Sequence, residues 1–528
     1  MKRIVCFVLL GSLTFSCSDK LTQLDPNKLT AETYWKTEAD IVGGLAGTYK
    51  TLKSPFNGYF GYKGVQLVNG RGDDFFIRND SRDMYQSTTF TNTATTGQAD
   101  ALWSGCYRGI FRANQVLERV AAVPMAEEMR ARYTAEAKFL RALNYYYLII
   151  NFREVPLILT VPLDRAQYAN PKAPAADVWA QIEADFKDAK ANLPLEWPLN
   201  WVGRATRGAA IGFLAKAYVY QEKWAAAEAE FKLLSQPSGQ VQAPFKYRLL
   251  PNYEDNFLKE NDNFQETIAN GQSDGRIPES LFEIQMQNVG GNDLGGNENG
   301  TPNETQGSTT AQAMAPSEAG GWYQGYPTQK VFNEFQKEKT TTNELDPRMY
   351  ATLVWEYPGA MFYRKPYTAA NFPNPFGKSS RVKKYQNYTQ VNEISTGLVS
   401  AMISDINEKA LRYADVLLLY AETLTKLGRP AEAYPLVDRI RTRARLAPLA
   451  PGFSAAQMMA EIQHQRMIEF FREGQRFYDL RRWGILEQEI KNSDKEGKEF
   501  FNLAKHAYFP IPQSEINNNP NITQDSNW

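Results

Sequence analysis

At roughly one domain per 150 residues, a chain of 528 residues has room for three or four domains, or for one large domain with long insertions. Its 59 Lys and Arg balance 59 Asp and Glu, so no basic field marks it for nucleic acid and no acidic field for cationic partners. A hydrophobic fraction of 43% excludes wholesale disorder, and two His with three Cys exclude a multi-histidine metal centre or a disulfide scaffold. The unusual number is aromatic: 10 Trp, 28 Tyr and 29 Phe make 13% of the chain.

Lys2 and Arg3 precede the apolar run from Ile4 to Leu10, which is too short to span a bilayer as a helix and reads as a signal peptide. Ser16 then stands directly before Cys17, as in a bacterial lipoprotein box. In that reading residues 1–16 are removed and Cys17 carries lipid as the mature N-terminus, holding the protein on the membrane without crossing it. Thr14 departs from the usual Leu or Val three positions before the cysteine, and ordinary cleavage beside an incidental cysteine is the alternative. Removal of the leader takes Cys6, Lys2 and Arg3, which moves the net charge from zero to −2. Cys106 is then the one free thiol, in a helical context without a partner His, and is expected to be buried and inert.

Apolar residues at helical spacing predict helices over 31–52, 99–122, 127–151 and 175–192. A helix carrying Ala210, Phe213, Leu214 and Ala217 follows, and a second runs from Trp224 through Ala229, Phe231 and Leu234. The stripe Leu411, Ala414, Leu417, Leu418, Ala421 and Leu424 marks a helix over 410–427, with Gly428 as its stop and Pro430 opening the next. Two more are predicted over 454–472, where Ser454 and Gln457 make a capping box, and over 476–491. Short connections and small residues at the crossings predict antiparallel helix pairs, the mark of degenerate tetratricopeptide-like repeats.

Two regions break this pattern. Residues 53–98 are irregular and aromatic-rich, and residues 288–326 are rich in Gly, Asn, Thr and Gln, flanked by the short extended runs Leu281–Gln285 and Leu353–Trp355. Loops of such length are functional sites or disorder. The fold class expected is mainly α, with a helical scaffold in 99–235 and 408–491, loop-rich binding regions at roughly 53–98 and 245–400, and few short strands, in a single domain over 17–528.

The segment from Leu411 to Glu422, the run Arg441-Thr442-Arg443-Ala444 and the stretch from Glu473 to Gly484 resemble the signatures of SusD/RagB outer-membrane lipoproteins of Bacteroidetes. Pro510-Ile511-Pro512, Glu515-Ile516 and Asn519-Pro520 resemble the closing segment of that family, and Phe139–Ala142 and Gly203–Ala205 fit upstream. The tail Thr523–Trp528 departs from the common Gln-Asn-Pro-Gly-Tyr ending. The resemblance implies a non-catalytic lipoprotein of the outer membrane, facing the exterior, that captures oligosaccharide, sometimes peptide. It would deliver this nutrient to a SusC-like TonB-dependent transporter, which it caps as a lid. No cofactor is implied. A surface glycoside hydrolase and a pure interaction scaffold are the readings from other classes.

Glu469 and Glu473, one helical turn apart, invite a glycosidase assignment, but Arg466, Arg472, Arg476 and Arg482 offer cationic partners, and an ion-pair network is the better reading. His464 and His506 are isolated and are assigned structural or surface roles. The run from Asn292 to Asn299 offers oxygen ligands without EF-hand spacing and is read as a solvated loop rather than a calcium site.

The aromatics divide into a helical-register set (Tyr145, Phe213 and Phe470) assigned to the core, and a loop set. Phe75, Phe76, Tyr85 and Phe90 form one loop group and Trp322, Tyr323 and Tyr326 the other. A pyranose presents a C–H face to an aromatic ring while its hydroxyls seek planar polar groups, and Asp73, Asp74, Arg78, Asn79 and Arg82 lie beside the first group. These rings and polar groups are the candidate ligand contacts. For any single ring, tacking its loop onto the scaffold explains it at least as well.

Overall fold

A computed structural model describes residues 34–53, 58–64, 70–259, 279–287, 307–308, 310–374, 377–388 and 404–528. The signal peptide, the Cys17 lipidation site and the run 292–299 lie outside them.

The fold is mainly α. Helix α1 (Glu38–Leu52) begins at a capping box between Thr37 and Asp40 and packs against α2 (Gly97–Arg119) and α3 (Glu127–Phe152). Helix α3 is buried along most of its second half, because α2, α4 (Ala175–Asn192) and neighbouring rings cover it on several sides. Its Phe139 meets Phe186 of α4 and Phe213 of α5 (Arg207–Tyr220) edge-on, at centroid distances of 5.5 and 5.8 Å. Helix α6 (Trp224–Leu234) folds back on α5 and continues the stack onto α7 (Tyr413–Lys426). Helices α8 (Tyr434–Arg443) and α9 (Ala455–Glu469) complete it, the latter with the Ser454–Gln457 capping box in place. No helix of the described residues is long and apolar enough to cross a membrane.

Three boundaries differ from the periodicity. Residues 408–412 form a strand, and α7 starts only at Tyr413, so Leu411 reaches the core from the sheet rather than from a helical stripe. Pro430 opens a 3-10 turn over Pro430–Ala433, with α8 following it. The helix expected over 476–491 is two, α10 (Arg476–Arg482) and α11 (Leu486–Asn492), divided where Gly484 adopts φ +74°. Ile485 donates its N–H back to Leu480 at 3.0 Å, a glycine-ended stop that outweighs the continuing apolar pattern.

The strands form four antiparallel pairs among the described residues: β1 (Phe75–Ile77) with β3 (Gly325–Pro327), β2 (Ser280–Ile284) with β8 (Glu408–Arg412), β4 (Leu353–Val354) with β7 (Arg381–Val382), and β5 (Met361–Phe362) with β6 (Lys365–Pro366).

A buried ionic network fastens the C-terminal helices to these strands. Arg412 donates to Glu469 at 3.0 Å and to Glu473 at 2.9 and 2.7 Å, and also pairs with Glu279. Arg443 joins Glu279 and Glu469, Arg348 joins Glu469 and Asp346, and Lys384 joins Glu473 at 2.7 Å. The arginines nearest in sequence go elsewhere. Arg466 holds Asp415 and Asp479, Arg482 holds Glu422 and Asp479, and Arg476 holds Asp73. The Arg472 guanidinium has no hydrogen-bond partner among the described residues and lies 5.5 Å from the Tyr385 ring centre.

Candidate functional site

The two loop groups of aromatics meet. Strand β1 pairs with β3 in the register Phe75 to Pro327, Phe76 to Tyr326 and Ile77 to Gly325. Gly325 is required by close approach, since a Cβ there would stand 2.5 Å from the Phe75 ring. Past the ladder, the Arg78 N–H donates to the Gln324 carbonyl at 2.8 Å, and its guanidinium donates to the carbonyls of Trp322 and Tyr323 at 3.2 and 3.0 Å. Asp80 lies 3.3 Å from the same guanidinium.

Burial then sorts the candidates. Trp322 and Tyr85 are half-buried, Arg78 is partly exposed, and Asn79 and Arg82 are exposed. Tyr85 donates its hydroxyl to Glu496, and this bond, with some burial, pushes the phenol up to about 12. Phe75 and Phe90 are core residues: Phe75 packs on Phe471 and Phe90 on Phe501 and His506. Tyr323 is buried under the Arg381 guanidinium, 4.2 Å above its ring. Phe76 and Tyr326, with centroids 5.3 Å apart, are both capped by the Lys378 ammonium at 4.6 and 4.7 Å. In this conformation these five rings lie behind the accessible surface, as the alternative reading of loop aromatics allows.

The acidic candidates serve the packing. Asp73 is fully buried and takes two hydrogen bonds from Arg476, at 2.7 and 2.9 Å, and an ion pair from Lys330 at 2.5 Å. Burial alone would raise its carboxyl, but these cations outweigh it and hold Asp73 ionised. Asp74 is pushed up to about 7, by burial first and by the neighbouring Asp73 charge second. Beside it the Lys495 ammonium donates to the Gly70 and Phe75 carbonyls and to the Thr88 hydroxyl at 2.6, 2.8 and 2.8 Å, fixing the base of the loop.

Sequence reasoning passed over Tyr62, Asp80, Gln324 and Lys378. The Tyr62 ring meets Trp322 edge-on at 5.6 Å, and its hydroxyl bonds the Gln324 side chain at 2.5 Å and Ser81 at 2.9 Å. Its place in the irregular region 53–98 was the available signal. Lys378 carried none. A second ring group, Phe332, Tyr350, Trp355 and Tyr357, is also half-buried, with Trp355 and Tyr357 centroids 4.5 Å apart.

The carboxylates that invited a hydrolase reading sit elsewhere. Glu469 and Glu473 are buried within the arginine network and are held below the usual carboxylate range. Burial opposes this, and the guanidiniums of Arg443, Arg412 and Arg348 on Glu469, and Arg412 with Lys384 on Glu473, outweigh it. A glycosidase acid needs the opposite shift in an open cleft. His464 lies between Glu334 and Glu338, at 2.6 and 3.4 Å, and Cys106 is buried with its thiol pushed up by burial.

The α-helical scaffold thus presents half-buried loop aromatics with the Arg78 guanidinium and the Asp80 carboxylate close by, an arrangement suited to binding contacts. The model of the SusD family matches residues 278–528, and one described as starch-binding and associating with the outer membrane matches 45–219. A SusD superfamily protein from Bacteroides vulgatus has 30% identity and a TM-score of 0.80, over 94% of this chain and 100% of that one. A laminarin-binding SusD-like protein shows 26% identity and a TM-score of 0.73 over 94% and 100%. SusD-like protein P2 of Formosa agariphila is 26% identical over 98% of each chain. The chain belongs to the SusD/RagB family.

Proposed function

We propose that the protein is a non-catalytic, lipid-anchored binding protein of the outer-membrane surface that captures oligosaccharide and passes it to a SusC-like TonB-dependent transporter. The observation that carries the binding role is the Trp322–Tyr62 pair. Its half-buried rings meet edge-on, the Tyr62 hydroxyl is held by Gln324 and Ser81, and the Arg78 guanidinium on the Trp322 carbonyl pairs with Asp80. A flat apolar ring bordered by planar polar groups suits a pyranose, whose C–H face stacks while its hydroxyls pair. Trp322, Tyr85 and Arg78 would touch the sugar. Phe76 and Tyr326 back them, and Asp73, Asp74, Phe75, Phe90 and Tyr323 hold the two loops in place. The laminarin-binding relative supports a neutral glucan as the first ligand to try. The lipoprotein box at Cys17 supports the anchor and the family membership supports the transporter partner.

Affinity electrophoresis through gels containing laminarin, starch or other polysaccharides, followed by calorimetry with oligosaccharides and peptides, tests the reading. Retardation by a glycan is expected. Binding of peptides alone, or release of reducing ends from a bound glycan, would sink it.

A further inference from the structure

On another part of the molecule, a groove of about 830 Å³ runs between α2, the segment 156–169 and the C-terminal residues 515–522. Its rim carries Leu163, the most exposed large apolar side chain of the described residues at 84%, and Tyr168 at 52%. Both side chains line the same groove, five positions apart in one segment, so they add to a single apolar surface. The wall adds Tyr107, Phe111 and Ile158, all half-buried.

The charge in the groove has one sign. Asp164 and Glu515 line it, and no described lining side chain is cationic. Glu515 is half-buried beside Asp100; burial first and that neighbouring charge raise its carboxyl, against a hydrogen bond from the Trp103 indole. An arriving cation would relieve this crowding, and an anion would worsen it.

The groove is preformed. The Leu163 N–H donates to the Gln167 side chain at 2.8 Å, and Asp164 accepts the Gln167 N–H at 3.0 Å. Asn519 and Asn521 donate to the Asn170 and Ala169 carbonyls at 2.8 and 2.6 Å, clipping the C-terminal segment to the rim. Little ordering cost remains for a partner to meet.

From this exposed rim, the aromatic wall and the matched acidic groups, we infer that the groove docks a segment of a protein partner that presents an aliphatic side chain next to Lys or Arg. The aliphatic side chain covers Leu163 and Tyr168 and enters between Tyr107 and Phe111, while the cation meets Glu515 and Asp164. An oligosaccharide fits less well, because the most exposed rim side chain is an aliphatic Leu, not a ring face. The inference stands apart from the glycan reading and shares no residue with it.

The test uses the mature protein and a fluorescein-labelled hexapeptide alternating Leu and Lys, with its Leu/Glu counterpart and laminarihexaose as controls. Saturable binding of the Leu/Lys peptide is expected, weakened about tenfold by Leu163→Ser with Tyr168→Ser, and also weakened by Glu515→Gln and by salt. Leu163 and Tyr168 are exposed, so the double variant should keep its melting temperature and its glycan affinity; Trp322→Ala should leave peptide binding intact. Lack of saturation at millimolar peptide, equal binding of the Leu/Glu peptide, or affinity unchanged in the groove variants overturns the inference. Displacement of the peptide by laminarihexaose would make the groove a saccharide site and overturn it equally.

Discussion

Phe76 stands directly opposite Tyr326 in the β1–β3 ladder, and one ammonium, that of Lys378, covers both rings. This pairing brings the loop after Arg71 against the loop before Pro327 and sets Arg78 beside the carbonyls of Trp322 and Tyr323. The proposed sugar contacts therefore depend on a ladder of three residue pairs.

Trp322→Ala separates binding from folding. The ring is half-buried, so its removal should lower glycan affinity about tenfold, or about 1.4 kcal/mol, with little change in melting temperature. Calorimetry and thermal melts on the same preparation read both. An unchanged affinity would move the site elsewhere.

Phe75→Ala should behave in the opposite way. That ring is fully buried against Phe471, and its loss should cost about 3–5 kcal/mol of stability. Denaturant midpoints measure this, and the protein that remains folded should still bind glycan.

Arg412→Met removes the cation shared by Glu279, Glu469 and Glu473 and leaves buried carboxylates short of a partner. Destabilisation of about 3–5 kcal/mol is expected, with loss of soluble protein at raised temperature. If the midpoint shifts by less than a quarter of that, the network is ornamental to stability.

His464 sets a pH dependence. Burial opposes its protonation, but Glu334 and Glu338 outweigh burial and raise its value to about 9. The folded value lies above the ordinary 6.5, so the contribution, about 3 kcal/mol, is fully present below pH 6.5 and is lost as pH rises through about 9. Between pH 6 and pH 9.5 the wild type should lose more stability than His464→Gln, and parallel curves for the two proteins would remove His464 from the account.

Lys495→Met should loosen the loop beneath the site. It strands the Phe75 carbonyl, at about 1–3 kcal/mol if left unpaired, and leaves the Gly70 carbonyl and the Thr88 hydroxyl bonded to each other without the ammonium. Faster hydrogen exchange confined to residues 70–90 and the β3 strand is the expected signature.

The sequence reached the scaffold because amphipathic spacing and caps act over a few residues. The Ser454–Gln457 box and the stripe from Ala414 to Leu424 involve partners within a turn or two, and both stand as expected. It misjudged α10 and α11, where one backbone angle at Gly484 overrode a continuing apolar pattern. It also expected Glu469 and Glu473 to pair with the arginines nearest in the chain, whereas Arg348, Arg412, Arg443 and Lys384 arrive from distant segments.

The aromatic content that set this chain apart shows the same division. Composition and irregular spacing identified two ring-rich loops, and the motif order pointed to the family. Which rings face outward was beyond reach, since buried Tyr323 and Tyr326 differ from half-buried Tyr85 in what packs on them, not in residue type. Local propensity wrote the helices into the sequence. Burial, register and the choice among several possible ionic partners are properties of segments brought together from hundreds of positions apart, and only the tertiary structure decided them.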